Sequence, residues 1–246
     1  MAQWARQSLF DGDLLRPAQD LFSIVEDVMG IPVIVGTSKT IEGASAMIDG
    51  RPVVFVAKRF VPRMLFTLAH ELAHLFVHHD HSSVAFIDEE LDESDFSPSA
   101  KLPEQFADAF AGALLLPSQG VALLIKKFRE MSSISPEKPI GDVEINLTAR
   151  FFGVSFEVAA RRCESLALLP SGAARAFVDW MKANHGSAEK RAEGLQLPPR
   201  AKVDVPEVSS VLLRSAIDQI ERGELSIGQA TAALSTSIDA VYAAHR

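Results

Sequence analysis

The chain has 246 residues, 48% of them hydrophobic, which is enough for one large domain or two small ones. Its 24 Lys and Arg against 32 Asp and Glu leave a net charge of −8, the wrong sign for a protein whose main ligand is nucleic acid. The single cysteine, Cys163, excludes an intramolecular disulfide and a cysteine-based zinc cluster, and we predict that it is a small buried residue.

The first predicted elements are a helix and the strands of a small sheet. Asp20–Val28 has the pattern of a helix that ends at a glycine, and Ile31–Val35 follows as a strand. Ala44–Ile48 and Val53–Ala57 flank the segment Asp49-Gly50-Arg51-Pro52, which is a strong turn signal. The sequence therefore predicts a β-hairpin before the next helix.

An H-E-x-x-H element lies at positions 70–74, in an apolar run that predicts a helix from Pro62 to about His79. Residues four apart lie on one helix face, so His70 and His74 can bind the same metal ion. Glu71 then lies beside the metal, where a carboxylate can deprotonate a metal-bound water. The alternative is an amphipathic core helix with two hydrogen-bonded histidines.

The segment after this helix is rich in histidine and then in acidic residues. We interpret the histidines at positions 78, 79 and 81 as surface residues. Asp88–Asp95 is interpreted as a solvated loop that joins two ligand helices. The alternative is that this acidic stretch forms one rim of a substrate cleft and repels acidic segments.

Pro103 and Pro117 bracket a second predicted helix. A catalytic zinc site usually has three protein ligands and an open position for water, so one ligand is still missing. We assign it to Glu104, and we expect Asp108, one turn later, to accept a hydrogen bond from a ligand histidine. Taken alone, Glu104 would be an acidic first-turn residue favoured by the helix dipole, and Asp108 an exposed polar residue.

The rest of the chain is predicted to be helical. Asn146–Leu169 has the pattern helix, turn, helix, with Ser155 as the N-cap of Phe156–Leu166. In a DNA-binding helix-turn-helix, Arg161 and Arg162 would contact phosphates, but the acidic net charge favours a helical pair packed on the core. Residues 186–206 are predicted to be a linker or a long excursion of the chain. Three further predicted helices are Val208–Arg222, Ser226–Leu234 and Ser237–Ala244.

The two ligand helices together resemble the ImmA/IrrE family of zinc metallopeptidases, over roughly residues 15 to 170. The likeness rests on Phe66–Phe76 and on Glu104-x-x-Ala107-Asp108-x-Phe110-Ala111 with Leu115 and Pro117. Many members have Asn where Asp108 stands, and Asp suits the same role beside the metal. The resemblance implies an α+β fold with gluzincin-like zinc ligation, in which a small β-sheet and the H-E-x-x-H helix precede a helical C-terminal region.

The resemblance also implies a function. Family members cut a helix-turn-helix transcriptional repressor and release genes of mobile elements or stress responses, and others act in toxin–antitoxin-like pairs. We therefore expect an intracellular zinc endopeptidase with Glu71 as its catalytic residue. The competing hypothesis is a non-catalytic zinc-binding regulator that sequesters a repressor or toxin, although a structural zinc site has no use for a general base such as Glu71.

The expected organisation follows from these assignments. Residues 15–135 form the zinc metallopeptidase core, residues 140–170 a helix-turn-helix-like segment packed on it, and residues 171–246 a helical accessory region that could bind a partner or form a homodimer. Too few residues precede Ala18 to hold the N-terminal DNA-binding domain of many family members, so we expect contact with a protein substrate without direct DNA binding. With no signal-peptide pattern and no membrane-length apolar stretch, we expect a cytoplasmic location.

Overall fold

A computed structural model describes residues 1–77, 85–89 and 98–244, with side chains for 1–77 and 102–243. The predictions for the histidines at positions 78, 79 and 81, and for positions 90–95 of the acidic stretch, lie outside the described residues.

The described strands are β1 (Val33–Gly36), β2 (Ile41–Ile48), β3 (Arg51–Ala57) and β4 (Ala85–Glu89). They form one four-stranded sheet in the order β1-β3-β2-β4. β1 runs parallel to β3, whereas β2 is antiparallel to both β3 and β4.

The structure contains the predicted hairpin, with longer strands than expected. Ile48 pairs with Arg51, so the turn consists of Asp49 and Gly50 alone. Their φ angles of 49° and 75° are the positive values that a two-residue type I′ turn requires. Arg51 and Pro52 therefore belong to β3 and not to the turn.

The acidic stretch begins inside a strand, which the sequence analysis did not predict. Asp88 and Glu89 belong to β4 and pair with Gly43 and Ile41 of β2. Their charge alone predicts a solvated loop. In the structure they extend the strand that begins with the apolar residues before them. Acidic residues are tolerated there because β4 lies at the edge of the described sheet.

Helices form most of the remaining described chain, and the one over Val61–Val77 packs against β2 and β3. In the described residues, no single helix is both long and apolar enough to cross a membrane, although Leu102–Leu115 and Ser118–Met131 reach that length and composition together, across a bend of 50°. The helices are α1 (Ala2–Leu9), α2 (Leu21–Ser23, continued by a π-helical turn over Ile24–Val28), α3 (Val61–Val77), α4 (Pro98–Leu115), α5 (Ser118–Met131), α6 (Asp142–Phe152), α7 (Phe156–Ser165), α8 (Ala173–His185), α9 (Ala188–Gly194), α10 (Ser210–Glu221), α11 (Ile227–Leu234) and α12 (Ile238–Ala244).

The predicted start of the second ligand helix is wrong. α4 begins at Pro98, so Pro103 lies inside it. Pro98 is the first residue of the helix, where proline is favoured because its backbone N–H would need no partner. Pro103 lies further inside and removes one backbone hydrogen bond of the helix. Glu104 consequently lies more than a turn inside the helix, where the dipole of the first turn does not explain it.

The predicted linker at 186–206 contains a short helix, α9. The Ser187 hydroxyl oxygen caps it by accepting a hydrogen bond from the Lys190 N–H at 3.2 Å. Arg191 Nε donates to Asp142 Oδ2 at 2.7 Å, and Ala192 is fully buried. Because Asp142 begins α6, the segment is attached to the preceding helices.

One apolar core extends from Ala5 to Val203 and includes the α6–α7 pair. Ser155 is the N-cap of α7, as predicted, and its Oγ accepts a hydrogen bond from the Val158 N–H at 3.2 Å. Arg162 Nε donates a hydrogen bond to the Leu116 carbonyl at 2.9 Å, so this side chain bonds α7 to the residue that follows α4. The core residues contributed by the pair are Ile145, Ala149, Phe152, Val154, Phe156, Ala159, Ala160 and Cys163.

Candidate metal centre

Each face of helix α3 contacts a different part of the protein. Leu65, Leu68 and Leu72 are fully buried in the core. His70 and His74, one turn apart, lie on the face that contacts α4. Glu71 is offset from them by the helical twist, so its side chain is directed toward the sheet. The local sequence thus separates two imidazoles from one carboxylate on the same helix.

The two imidazoles meet Glu104 of α4. His70 Nε2 lies 3.0 Å from Glu104 Oε2, and His74 Nε2 lies 3.5 Å from Glu104 Oε1. The two Nε2 atoms are 3.0 Å from each other. Small residues permit this approach of the helices, since Ala69, Ala73, Ala107 and Ala111 are all fully buried.

The geometry of these three residues fits a metal ion. One ligand atom from each of His70, His74 and Glu104 lies within 4.8 Å of the others. Two imidazole nitrogens and one carboxylate oxygen are a donor set of catalytic zinc sites, whose tetrahedrally arranged ligand atoms lie about 3.3–3.5 Å apart. The Nε2 atoms are 3.0 Å apart, and they lie 3.0 and 3.5 Å from different oxygens of Glu104, which is close to this spacing.

The electrostatics of the cluster favour a positive charge between the ligand atoms. Burial lowers the pKa of His70, but hydrogen bonds to Asp108 and Glu104 outweigh it and raise that pKa to about 10. Hydrogen bonds with His70 and His74 lower the pKa of Glu104 to about 2. Glu104 is therefore an anion at neutral pH, and the same field that holds a proton on His70 would attract a divalent cation.

Asp108 contacts the ring nitrogen of His70 that faces away from Glu104. His70 Nδ1 lies 3.1 Å from Asp108 Oδ1, while half of the Asp108 side chain is exposed. Asp108 is therefore partly exposed and at the same time in contact with the histidine. With Nδ1–H donated to Asp108, loss of the Nε2 proton would leave the lone pair of Nε2 directed at the cluster.

Glu71 is fully buried and packs against β2 at Gly43, a residue that the sequence analysis missed. A Cβ at position 43 would lie 2.6 Å from Glu71 Oε1 and 2.5 Å from Thr67 Cγ2. The predicted strand began one residue later, at Ala44. A glycine at the edge of a strand pattern is a signal of close approach by another element, and it could have identified this contact.

Two surface cavities, of about 1030 and 640 Å³, lie elsewhere in the described structure. The larger one lies between α7 and α8, and its charged residues are engaged by their neighbours. Arg161 pairs with Glu157 at 2.8 Å, and Arg175 pairs with Asp179 at 3.2 Å. Neither cavity is lined by a residue of the metal cluster.

One family of known proteins matches more than half of this chain. The family model described as the IrrE N-terminal-like domain, Peptidase_M78, matches residues 27–164, which is more than half of the chain. A search of curated proteins gave no significant match. A solved structure described as a Mycobacterium tuberculosis transcriptional regulator is 21% identical, with a TM-score of 0.43 over 66% of this chain. The match spans 46% of that protein, less than half of its length.

Proposed function

Because the chain belongs to the IrrE N-terminal-like (Peptidase_M78) family, we propose that it is a zinc-dependent endopeptidase that cleaves a protein substrate. The observation that carries this proposal is the convergence of His70, His74 and Glu104, with the buried Glu71 on the same helix close enough for its charge to raise the pKa of His70. Asp108 is proposed to hold the orientation of His70. A structural zinc site would usually close with a fourth protein ligand, and among the described residues the cluster offers three.

The proposed mechanism assigns one role to each residue. His70, His74 and Glu104 would hold zinc, which supplies Lewis acidity to polarise a peptide carbonyl and to acidify water. Glu71 takes a proton from the attacking water onto a carboxylate oxygen and passes it to the nitrogen of the departing amine. Asp108 accepts the Nδ1–H of His70, so that Nε2 is the nitrogen that gives up its proton and offers a lone pair for binding.

The substrate class is proposed from the family resemblance. Members of the ImmA/IrrE family cut helix-turn-helix repressors, and a net charge of −8 suits contact with a basic DNA-binding protein. We propose that such a repressor is the substrate, and that its cleavage switches on a stress, mobile-element or toxin–antitoxin-type response. The enzyme would act inside the cell and meet the repressor as a protein, without first binding DNA.

The discriminating experiment compares the wild type with Glu71→Gln beside a candidate repressor encoded near its gene. Glutamine keeps the size of the side chain but cannot accept the proton, so zinc content and repressor binding should be unchanged. Cleavage should fall by about 10²–10⁴-fold, the usual contribution of a general base. Both the length of the repressor and the output of its target gene are followed.

The alternative function is a non-catalytic zinc-binding regulator that sequesters a repressor or toxin. It predicts that Glu71→Gln derepresses the target gene as well as the wild type does, while the repressor stays at full length. That result would reject proteolysis as the mechanism. The observation that speaks against the alternative is the burial of Glu71 on the helix that carries His70 and His74, since sequestration has no need for a carboxylate there.

A further inference from the structure

Strand β2 carries an irregularity where it passes the H-E-x-x-H helix. Its pairing with β4 shifts between Ile41 and Gly43, which leaves Glu42 as an extra residue in the strand. A bulge of this kind allows two consecutive residues to face the same side of a sheet. Glu42 and Gly43 are both buried, although alternation in a regular strand would expose one of them.

Both residues of the bulge contact one face of α3. Arg63, Thr67 and Glu71 are four residues apart and therefore lie in one row along the helix. Glu42 Oε2 lies 2.9 Å from Arg63 Nε at the start of this row, and only 8% of the Glu42 side chain is exposed. Gly43 meets the Thr67 and Glu71 side chains further along the row.

A second arginine strengthens the first of these contacts. Arg59 Nε, in the segment that leads into α3, donates to Glu42 Oε1 at 3.0 Å. Arg59 Nη2 also donates to the Ser38 carbonyl at 2.8 Å. The Glu42 carboxylate thus ties β2 to the start of α3, which fixes the distance between Gly43 and Glu71.

We propose that Gly43 is the positioning residue for Glu71, because the missing side chain at position 43 determines where the Glu71 carboxylate lies. The ion pairs of Glu42 hold the strand against the helix at this point. This inference rests on the proposed function, in which Glu71 moves the proton. Gly43 touches no reacting atom and acts through Glu71 alone.

The Glu71 carboxylate is the part of this contact that would yield to an added methyl group. The strand cannot retreat, because Gly43 is paired with Val56 of β3 on one side and Asp88 of β4 on the other. Thr67 is β-branched, and its side-chain rotamer is restricted in a helix. Glu71 is flexible at its far end, so a Cβ 2.6 Å from Oε1 would displace the carboxylate.

The test measures kcat, KM, zinc content and melting temperature for Gly43→Ala, with the repressor of the previous section as substrate. We expect kcat to fall by about 100-fold, the cost of misplacing a catalytic group by about 1 Å, while KM and zinc content stay unchanged. Gly112→Ala is the matched control, since a Cβ there meets nothing within 4 Å and the residue lies outside the site. A Gly43→Ala protein with kcat near the wild-type value would overturn the proposal.

A second substitution separates positioning from a general loss of stability. Thr67→Ser removes the methyl group at 2.5 Å, so Gly43→Ala combined with Thr67→Ser should recover most of the lost melting temperature, even if Gly43→Ala alone does not fold. The clash with Glu71 remains in this protein, so kcat should stay low. If kcat returns together with the melting temperature, Gly43 has a structural role only and the proposal is wrong.

A double-mutant cycle of melting temperatures tests the contact between Gly43 and Glu71 even if the wild type cleaves nothing. In the Thr67→Ser background, Gly43→Ala should lower the melting temperature by a few degrees when Glu71 is present, and by less when Glu71→Ala is also introduced. Equal losses in the two backgrounds would show that the two residues do not constrain each other and would overturn the inference. Unequal losses without any cleavage would support the contact and place the failure in the proposed function.

Discussion

Asp108 Oδ1 and His70 Nδ1 lie 3.1 Å apart, across the contact between α4 and α3. The other nitrogen of the same ring lies 3.0 Å from Glu104 Oε2. Glu104 and Asp108 are one helical turn apart, so a single face of α4 contacts both nitrogens of one imidazole. The orientation of His70 is therefore determined from both ends of its ring.

Replacing Asp108 should weaken zinc binding without unfolding the protein. Asp108→Ala should lower zinc affinity by about 10–100-fold, because His70 loses the acceptor that orients its ring. Asp108→Asn should lose less, since its amide oxygen can still accept from Nδ1–H. Zinc affinity is measured by competition with a chelator, with Gln105→Ala on the exposed part of the same helix as control. Equal affinity in Asp108→Ala and wild type would remove Asp108 from the site.

Glu104 and Glu71 should differ in their effect on the metal. Glu104→Ala removes one of three ligand atoms, so zinc content after dialysis against a weak chelator should fall to a small fraction of the wild-type content. Glu71→Gln should retain about one zinc per chain because Glu71 is not a ligand in the proposed site. Elemental analysis of the purified proteins measures both. Undiminished zinc in Glu104→Ala would move the third ligand elsewhere.

The local part of the candidate site could be predicted from the sequence. His70 and His74 lie on one face because of the period of the helix, and this holds wherever the helix is placed. The assignment of Glu104 as a ligand could not be made from the sequence pattern alone. It depended on the number of protein ligands in a catalytic zinc site, which distinguished Glu104 from an ordinary acidic residue. The family expectation and the α+β fold class are confirmed by the match over residues 27–164.

The parts that were missed depend on contacts between distant segments. Gly43 matters because α3 lies against it, and no pattern within β2 identifies that neighbour. β4 is defined by its pairing with β2, and its acidic end resembles a loop when it is considered alone. The π-helical turn at Ile24–Val28 has no signal in the apolar pattern, which fits a regular helix equally well.

Glu26 should contribute substantially to stability because it joins two distant segments. Its buried carboxylate accepts the Val33 N–H at 3.0 Å and the Ser210 N–H at 2.9 Å. Ser210 is the first residue of α10, where a negative charge also favours the helix dipole. Glu26→Ala leaves both N–H groups without this acceptor and should cost roughly 2–4 kcal/mol of unfolding free energy.

Asp27 is the matched control for this substitution. It accepts from Ser210 Oγ at 3.0 Å and from Arg214 at 3.1 Å, but both charged side chains are more than half exposed. Asp27→Ala should therefore cost less than about 1 kcal/mol. Urea unfolding measures both variants, and limited proteolysis follows release of α10. Equal losses for Glu26→Ala and Asp27→Ala would show that burial of Glu26 contributes nothing.

The thiol of Cys163 should make the stability of the protein depend on alkaline pH. Burial in α7 raises the pKa of this thiol from 9.0 to about 11. Because the folded pKa is the higher one, its contribution is fully present below about pH 9 and is lost as the pH rises through about 11. The unfolding free energy of the wild type should fall by roughly 2 kcal/mol across this window, beyond any change in Cys163→Ala.

The comparison with Cys163→Ala isolates the thiol, because all other groups titrate alike in the two proteins. Urea unfolding is measured for both at pH 8 and pH 10.5, and the difference between the two losses is the quantity of interest. A thiol reagent at pH 8 gives an independent measure, since the fully buried sulfur should react only at the rate of unfolding. Parallel pH profiles of the two proteins, or rapid labelling of the folded protein, would show that burial of the Cys163 thiol does not cause the loss of stability at alkaline pH.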